Sequence, residues 1–444
     1  MINFPRGNTT EIAGTAADAQ PVEYNDLAKA MRQGLLVFVL VISACLQPVS
    51  ATGRVSGPEV GSLGDTPAAP LACDPDGVQA SGAVYRLCMP SIIPWNGDLF
   101  VYAHGYVSPT EPIGIPEDQM ILPGGLSVPD IVNVLGYGFA TTSYSTNGLA
   151  VVEGMADLVD LVDIFTAEKG APNRVYLVGV SEGGLITTLT VEQHPDLFDG
   201  GLAMCGPYGD FRRQVDYIGD HRVVFDYFFP GTLPDSPVNI PAWLLADWDT
   251  YYGITVQPEI EDPANAGLLD QLLNVSQAAT DPADPATREE TIQTLLWYNV
   301  FATNDARDKL GGQPFDNLDR IYTGSDDDAQ LNLWVQRFGA GQAALDEIDT
   351  HYQTTGILAV PLVTLHTTGD PLVPYWQATR YRSKTMSADN IALHEPLTVE
   401  RYGHCTFTFL EVLLAFFQLV DMVENPPPYR PVQRIFVPTV SKAP

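Results

Sequence analysis

Positive charge is the scarcest commodity in this chain. Its 444 residues carry 22 Lys and Arg against 54 Asp and Glu, a formal net charge of −32. Lysine occurs only as Lys29, Lys169, Lys309, Lys384 and Lys442. Without a basic footprint there are no phosphate contacts to release counterions, so nucleic acid is excluded as a partner. Docking onto an anionic membrane through basic patches is excluded on the same ground. Excess negative charge keeps a protein soluble by self-repulsion that salt screens. That suits a saline habitat and an ordinary acidic secreted protein alike. Cysteine is sparse too: there are five, none in CxxC spacing, which argues against a zinc site. No Gly-rich phosphate loop, metal-ligand spacing or flavin fingerprint stands out, so neither cofactor nor metal is expected.

Long apolar runs are missing as well. Leu35–Ile42 is too short for the roughly 20 residues of a membrane span, but it has the length of a signal-peptide core. Arg32 supplies a short basic start, and Met31 is a plausible true start. Residues 1–44 therefore read as an export address. Ile42-Ser43-Ala44-Cys45 resembles a bacterial lipobox, which would make Cys45 a lipidated N-terminus and give the protein a lipid anchor to the membrane. Val49-Ser50-Ala51 offers the competing small-x-small cleavage, which would release the protein. Export predicts an oxidising compartment, where the even set Cys73, Cys88, Cys205 and Cys405 favours disulfides. Four cysteines allow three pairings; Cys73–Cys88 is favoured because it closes a short loop.

What the chain has in plenty is apolar sequence, 45% of its residues, enough for a substantial core. Residues 46–72 are rich in Gly, Pro, Ser and Ala without periodicity and read as a tether within an N-terminal segment 45–79. From residue 80, strand-like runs occur at Ala83–Cys88, Leu99–Ala103, Phe139–Tyr144, Val175–Val180, Gly201–Cys205 and Leu362–His366, with a weaker one at Leu397–Val399. Met155, Leu158, Val159, Val162 and Phe165 within Val151–Lys169 have the spacing of one helical face. Alternation of this kind implies an α/β fold with a mostly parallel central sheet flanked by helices. The core then occupies 80–210 and 352–425. Between them, 211–351 is acidic and aromatic, with helical windows at Pro263–Val275, Thr287–Phe301 and Asp328–Phe338, and reads as a large helical cap. Residues 426–444 form a Pro-rich tail.

Chemistry concentrates at Gly179-Val180-Ser181-Glu182-Gly183-Gly184, directly after the apolar run Val175–Val178. A strand, a tight glycine turn and then a helix is the context that raises a serine hydroxyl above a sheet as a nucleophile. The helix N-terminus behind it favours developing negative charge. A hydroxyl also needs a base, and the base an orienting acid. Of seven histidines, His404 lies in a loop after Gly403, before the apolar stretch Phe407–Val420. His366 and His104 read as possible structural histidines. Asp370 follows Gly369 at a strand end, ahead of Glu395 and the run Asp326-Asp327-Asp328, which reads as a solvated face or an incidental calcium site.

The order Ser181, Asp370, His404, with His104-Gly105-Tyr106 after the strand Leu99–Ala103, resembles the α/β-hydrolase superfamily over residues 80–420. The resemblance implies an exported serine hydrolase in which Ser181 attacks an acyl carbon, His404 shuttles the proton and Asp370 fixes the imidazole. It implies an oxyanion hole from the backbone N–H groups of Glu182 and of Tyr106 or Gly105, and makes His104 and Tyr106 candidate substrate contacts. A small-molecule or polymeric ester is the expected substrate, with the aromatic cap forming its pocket; a charged Glu182 would repel anionic ones. Cys205 ends the strand that this fold places beside the His404 loop, so Cys205–Cys405 is the expected second disulfide. A prolyl-oligopeptidase-like peptidase, an acyltransferase and an inactive surface-binding protein are the alternatives. No propeller repeat supports the first, and an intact triad opposes the last. Ser181 itself argues against dehalogenase or epoxide hydrolase chemistry, which needs an aspartate there.

Overall fold

The computed structural model describes residues 73–122, 125–234 and 236–426. The export address, Cys45, the tether 46–72 and almost all of the Pro-rich tail lie outside them.

Eight strands form one sheet in the order β1 (Gly77–Val78), β2 (Val84–Cys88), β6 (Gly138–Thr142), β3 (Asp98–Ala103), β7 (Arg174–Val180), β8 (Gly200–Met204), β9 (Leu362–Gly369) and β10 (His394–Tyr402). Strands from β6 to β10 are parallel, while β1 and β2 run antiparallel at one edge. A separate ribbon pairs β4 (Ile121–Leu122) with β5 (Leu126–Ser127). The central strands are buried on both faces, which is why they read as unbroken apolar runs. At the far edge only Leu397–Val399 was legible in β10, because exposed Glu395, Thr398 and Glu400 interrupt it. Charge along an edge strand discourages pairing with another chain.

One face is covered by the helices Val151–Lys169 and Glu182–Gln193. Leu158, Leu161, Val162 and Phe165 of the first are essentially inaccessible, each contributing about 1.5–3 kcal/mol by burial. The other face is covered by Val128–Val134 and Phe409–Glu424, whose Phe416 and Leu419 meet Phe100, Tyr176 and Leu202. The latter helix opens with a capping box, Thr408 and Glu411 bonding each other's backbone N–H. Among the described residues no helix is long and apolar enough to cross a membrane.

Between β8 and β9 the chain leaves the sheet. The expected windows are helices at Ala266–Ser276, Thr287–Lys309 and Asp328–Trp334, the second longer and the third shorter than expected. Their own core gathers Phe225, Leu244, Trp248, Leu272, Ile292 and Leu296. The helix Phe211–Phe228 was not anticipated, because its apolar stripe is broken by Asp220, His221 and Arg222. All three are buried, and Arg222 is satisfied by Asp226 at 2.9 Å, Asn299 at 2.8 Å and the Pro234 carbonyl at 2.6 Å. In the acidic run, Asp327 caps a helix by accepting from Gln330 N, and Asp328 accepts from Gly324 and Ser325. That uses these two carboxylates for turn geometry.

Candidate active site

The C-terminal ends of β7, β9 and β10 converge on one point. Ser181 follows β7 with φ 57° and ψ −120°, a strained conformation for a side-chain-bearing residue. The flanking glycines make room for it. A Cβ on Gly179 would lie 2.0 Å from Gly183 O, and one on Gly183 would lie 2.1 Å from Ala103 O. The turn is closed by Ser181 N donating to Met204 O at 2.9 Å and Gly184 N to Ser181 O at 2.9 Å.

Three of the expected residues come together as a relay. Ser181 Oγ lies 2.8 Å from His404 Nε2, and His404 Nδ1 lies 2.7 Å from Asp370 Oδ2. Asp370 is 1% exposed, and its other oxygen accepts from Leu372 N and Val373 N at 2.9 and 2.8 Å. That turn is braced from the insertion, where Gln214 Nε2 donates to Leu372 O and the Tyr217 hydroxyl to Pro371 O. The His404 loop is held by Thr367 Oγ1 donating to Gly403 O at 2.7 Å and by Gly403 N donating to Gly369 O at 3.1 Å. It is held covalently as well. Cys205 and Cys405 are bonded, with Cα atoms 5.4 Å apart, and Cys73–Cys88 is the second disulfide. Cys205, His404 and Cys405 bring their donor atoms within 4.8 Å of one another, but both sulfurs are spent in the disulfide, so this trio does not fit a metal.

The loop after β3 supplies the opposite wall. Gly105 N donates to Gln119 Oε1 at 2.7 Å, which removes it as an oxyanion donor. Gln119 Nε2 also donates to Tyr106 O at 3.2 Å, clamping the loop. Among the described residues the backbone N–H groups of Tyr106 and Glu182 have no protein acceptor, so these two remain available. Nothing near residue 119 in the sequence announces the clamp; its partner lies 14 residues away. Tyr106 packs against Trp297 and Tyr298 of the helix Thr287–Lys309.

His104 does not occupy the position expected of a substrate contact. It is 2% exposed, stacked on Tyr144 at 3.9 Å, with Nδ1 2.7 Å from Gly105 O. Burial lowers its pKa to about 4, so the ring is neutral and shapes the loop from behind. His366 is likewise structural, spanning Tyr208 and the Val373 carbonyl. Glu182 also differs from expectation. Its carboxyl is buried, accepts from Ala150 N at 3.0 Å and is pushed up by desolvation to about 8. The shift favours the uncharged acid, the form in which it would not repel anionic groups.

A cavity of about 190 Å³ lies between the sheet and the helices Val128–Val134 and Phe409–Glu424. Its lining includes Val180, Met204, Cys405, Phe407 and Gln119 and takes no residue from the aromatic cap. An apolar cavity of about 150 Å³ admits a benzene-sized guest.

The sequence profile of the prolyl oligopeptidase family matches residues 133–216, from the end of the helix Val128–Val134 through the serine turn to the first turns of Phe211–Phe228. No curated protein sequence matches the chain. Among solved structures it is similar to an acylaminoacyl peptidase of Pyrococcus horikoshii at 11% identity and TM-score 0.37, covering 75% of this chain and 38% of that one. It is similar to feruloyl esterase B of Aspergillus oryzae at 15% identity and TM-score 0.41, covering 79% of each. The chain thus spans about two fifths of the peptidase, and overlaps this loose say nothing of activity. Sheet order and the serine turn after β7 give the chain an α/β-hydrolase fold, a mostly parallel sheet flanked by helices, on which Ser181, Asp370 and His404 meet in that chain order.

Proposed function

We propose that this protein is a serine hydrolase that cleaves carboxylic esters through an acyl-enzyme. The observation that carries the reading is the Ser181–His404–Asp370 relay at a strained turn, with bonds of 2.8 and 2.7 Å. His404 Nε2 takes the hydroxyl proton as Ser181 Oγ bonds to the acyl carbon, while Asp370 holds Nδ1 and stabilises the imidazolium. The oxyanion that forms is received by the N–H groups of Glu182 and Tyr106, each such donor contributing about 3–4 kcal/mol. Collapse breaks the acyl–oxygen bond and His404 protonates the departing alcohol. Water, deprotonated by the same imidazole, then releases the acid and restores Ser181. The apolar cavity bordered by Val180 and Cys405, the neighbours of Ser181 and His404, supports a neutral ester with an apolar acyl or alcohol group over a charged substrate.

A peptidase is the second reading, and the match to the prolyl oligopeptidase family favours it. Both disulfides suit an exported protein, since such bonds persist in oxidising compartments. A chain-length panel of p-nitrophenyl esters beside aminoacyl p-nitroanilides, on wild type and Ser181→Ala, tests the assignment. Ester cleavage that peaks at a medium or aromatic acyl group and vanishes in the variant is the expected result. Turnover of the anilides alone would make it a peptidase, and activity surviving in Ser181→Ala would remove Ser181 as nucleophile.

A further inference from the structure

We infer that Glu182 is a positioning residue whose neutral carboxylic acid is the working form, tying the oxyanion-binding turn to the cap and ceasing to support the reaction once it ionises. The inference rests on the serine-hydrolase reading. Glu182 opens the helix behind Ser181, and its backbone N–H is one of the two free donors at the site. Its side chain turns the other way, 7% exposed, and one oxygen accepts from Ala150 N at 3.0 Å, at the start of the helix Val151–Lys169. The other oxygen is buried without a hydrogen-bond partner.

The segment that Glu182 holds is itself held from the cap. Leu149 N donates to Asp305 Oδ2 at 2.7 Å, Lys309 Nζ donates to the Asn147 carbonyl, and Lys309 pairs with Asp305 at 3.1 Å. Gly148, at φ +76°, lets the chain pass there, for a Cβ would fall 2.1 Å from Asp305 Oδ2. The Glu182 carboxyl thus joins the serine turn to the 144–150 segment, which Asp305 and Lys309 in turn fasten to the C-terminal end of Thr287–Lys309.

The groups around that carboxyl decide its charge. Asp305 from the cap and Glu153 from Val151–Lys169 oppose ionisation and Lys309 favours it, but desolvation outweighs them and lifts the pKa to about 8. Tyr106, Tyr144 and Tyr298 also face it and stay protonated, their own pKa values pushed up by burial. Tyr352 also couples to it and is likewise raised by burial. The transition state places a negative charge on the oxyanion held by this residue's own N–H. A carboxylate on the same residue, poorly screened by a buried setting, repels that charge. The uncharged ground-state ester feels no such repulsion, so the effect falls on kcat and leaves KM in place.

Rates for a neutral p-nitrophenyl ester, corrected for spontaneous hydrolysis, measured from pH 6 to 9.5 on wild type, Glu182→Gln and Asp305→Asn test this. Wild-type kcat is expected to fall about tenfold above an apparent pKa near 8, with KM steady. Glu182→Gln keeps the acceptor for Ala150 N and cannot ionise; whatever its rate at pH 7, its kcat should stay level from there to pH 9.5, without the alkaline fall. Asp305→Asn, which keeps an acceptor for Leu149 N but removes a neighbouring negative charge, should move the fall to lower pH. If Glu182→Gln does not fold, the direction of the Asp305→Asn shift decides. Wild-type and Glu182→Gln profiles that superimpose, or an unshifted fall in Asp305→Asn, would overturn the inference. Failure of the underlying reading shows differently: wild type would neither cleave esters nor be labelled at Ser181 by a fluorophosphonate.

Discussion

The Cys205–Cys405 bond joins residues 200 positions apart, whereas Cys73–Cys88 joins residues 15 apart. If a disulfide acts by restricting the unfolded chain, the first removes loop entropy equivalent to about 5 kcal/mol and the second about 3 kcal/mol. Cys205→Ala/Cys405→Ala should therefore lower unfolding stability by about 2 kcal/mol more than Cys73→Ala/Cys88→Ala. For a chain of this size each kcal/mol moves Tm by roughly 1–3 °C. Catalysis should respond less than stability. The His404 loop keeps its hydrogen bonds from Thr367 and to Gly369, so the relay still assembles, and kcat should drop by less than about tenfold with KM unchanged. Guanidinium titrations of both double variants, with ester kinetics on the same preparations, provide the measurement. Equal destabilisation of the two would refute the loop-entropy argument. A hundredfold loss of kcat without loss of stability would mean that the disulfide, not the hydrogen bonds, aims the base.

Asp370→Asn preserves the shape of the turn but presents the wrong partner to His404 Nδ1, and should cost about 10⁴ in kcat; a loss under tenfold in steady-state kinetics would detach Asp370 from the relay. Stability should also depend on pH in a definite direction. Glu182 and Asp220 are raised by burial to about 8 and about 7. Between their unfolded values and these, the folded chain holds more protons than the unfolded one, so stability falls as pH climbs from about 4.5 to 8. Glu411, lowered to about 2 chiefly by its bonds with Arg401, acts in the opposite sense: its contribution is lost as pH falls through the range below 4.5. Chemical denaturation at pH 5.5, 7 and 8.5 reads the first slope, and stability rising across that series would contradict it.

The sheet and the relay were legible because their signals are local. Parallel strands buried on both faces are short apolar runs, and the serine turn needs glycines at fixed offsets from Ser181. His404 and Asp370 could be picked out because each sits at a strand end in the order the superfamily uses. What escaped the sequence depends on distant neighbours. Gln119 is an ordinary glutamine until the fold sets it against Gly105 and Tyr106. The helix Phe211–Phe228 conceals its inner face because Arg222 is buried with partners as far off as Asn299. The raised pKa of Glu182 was not legible for the same reason, since burial sets it and burial is a property of the packed chain. The aromatic residues of the insertion chiefly build a core of its own, the ordinary role for such residues in a helical insertion.

The helix Phe211–Phe228 belongs to two structures at once. Its N-terminal half holds the backbone just after Asp370 through Gln214 and Tyr217, while Val224 and Phe225 enter the core of the insertion. A lid joined to its enzyme by bare loops could be exchanged for another during evolution or in the laboratory. This one cannot be cut at its first residue without loosening the acid of the relay. A graft that respects the molecule must begin beyond Phe228, leaving that helix with the catalytic half, and the variable part of the insertion is correspondingly shorter than its length in the chain.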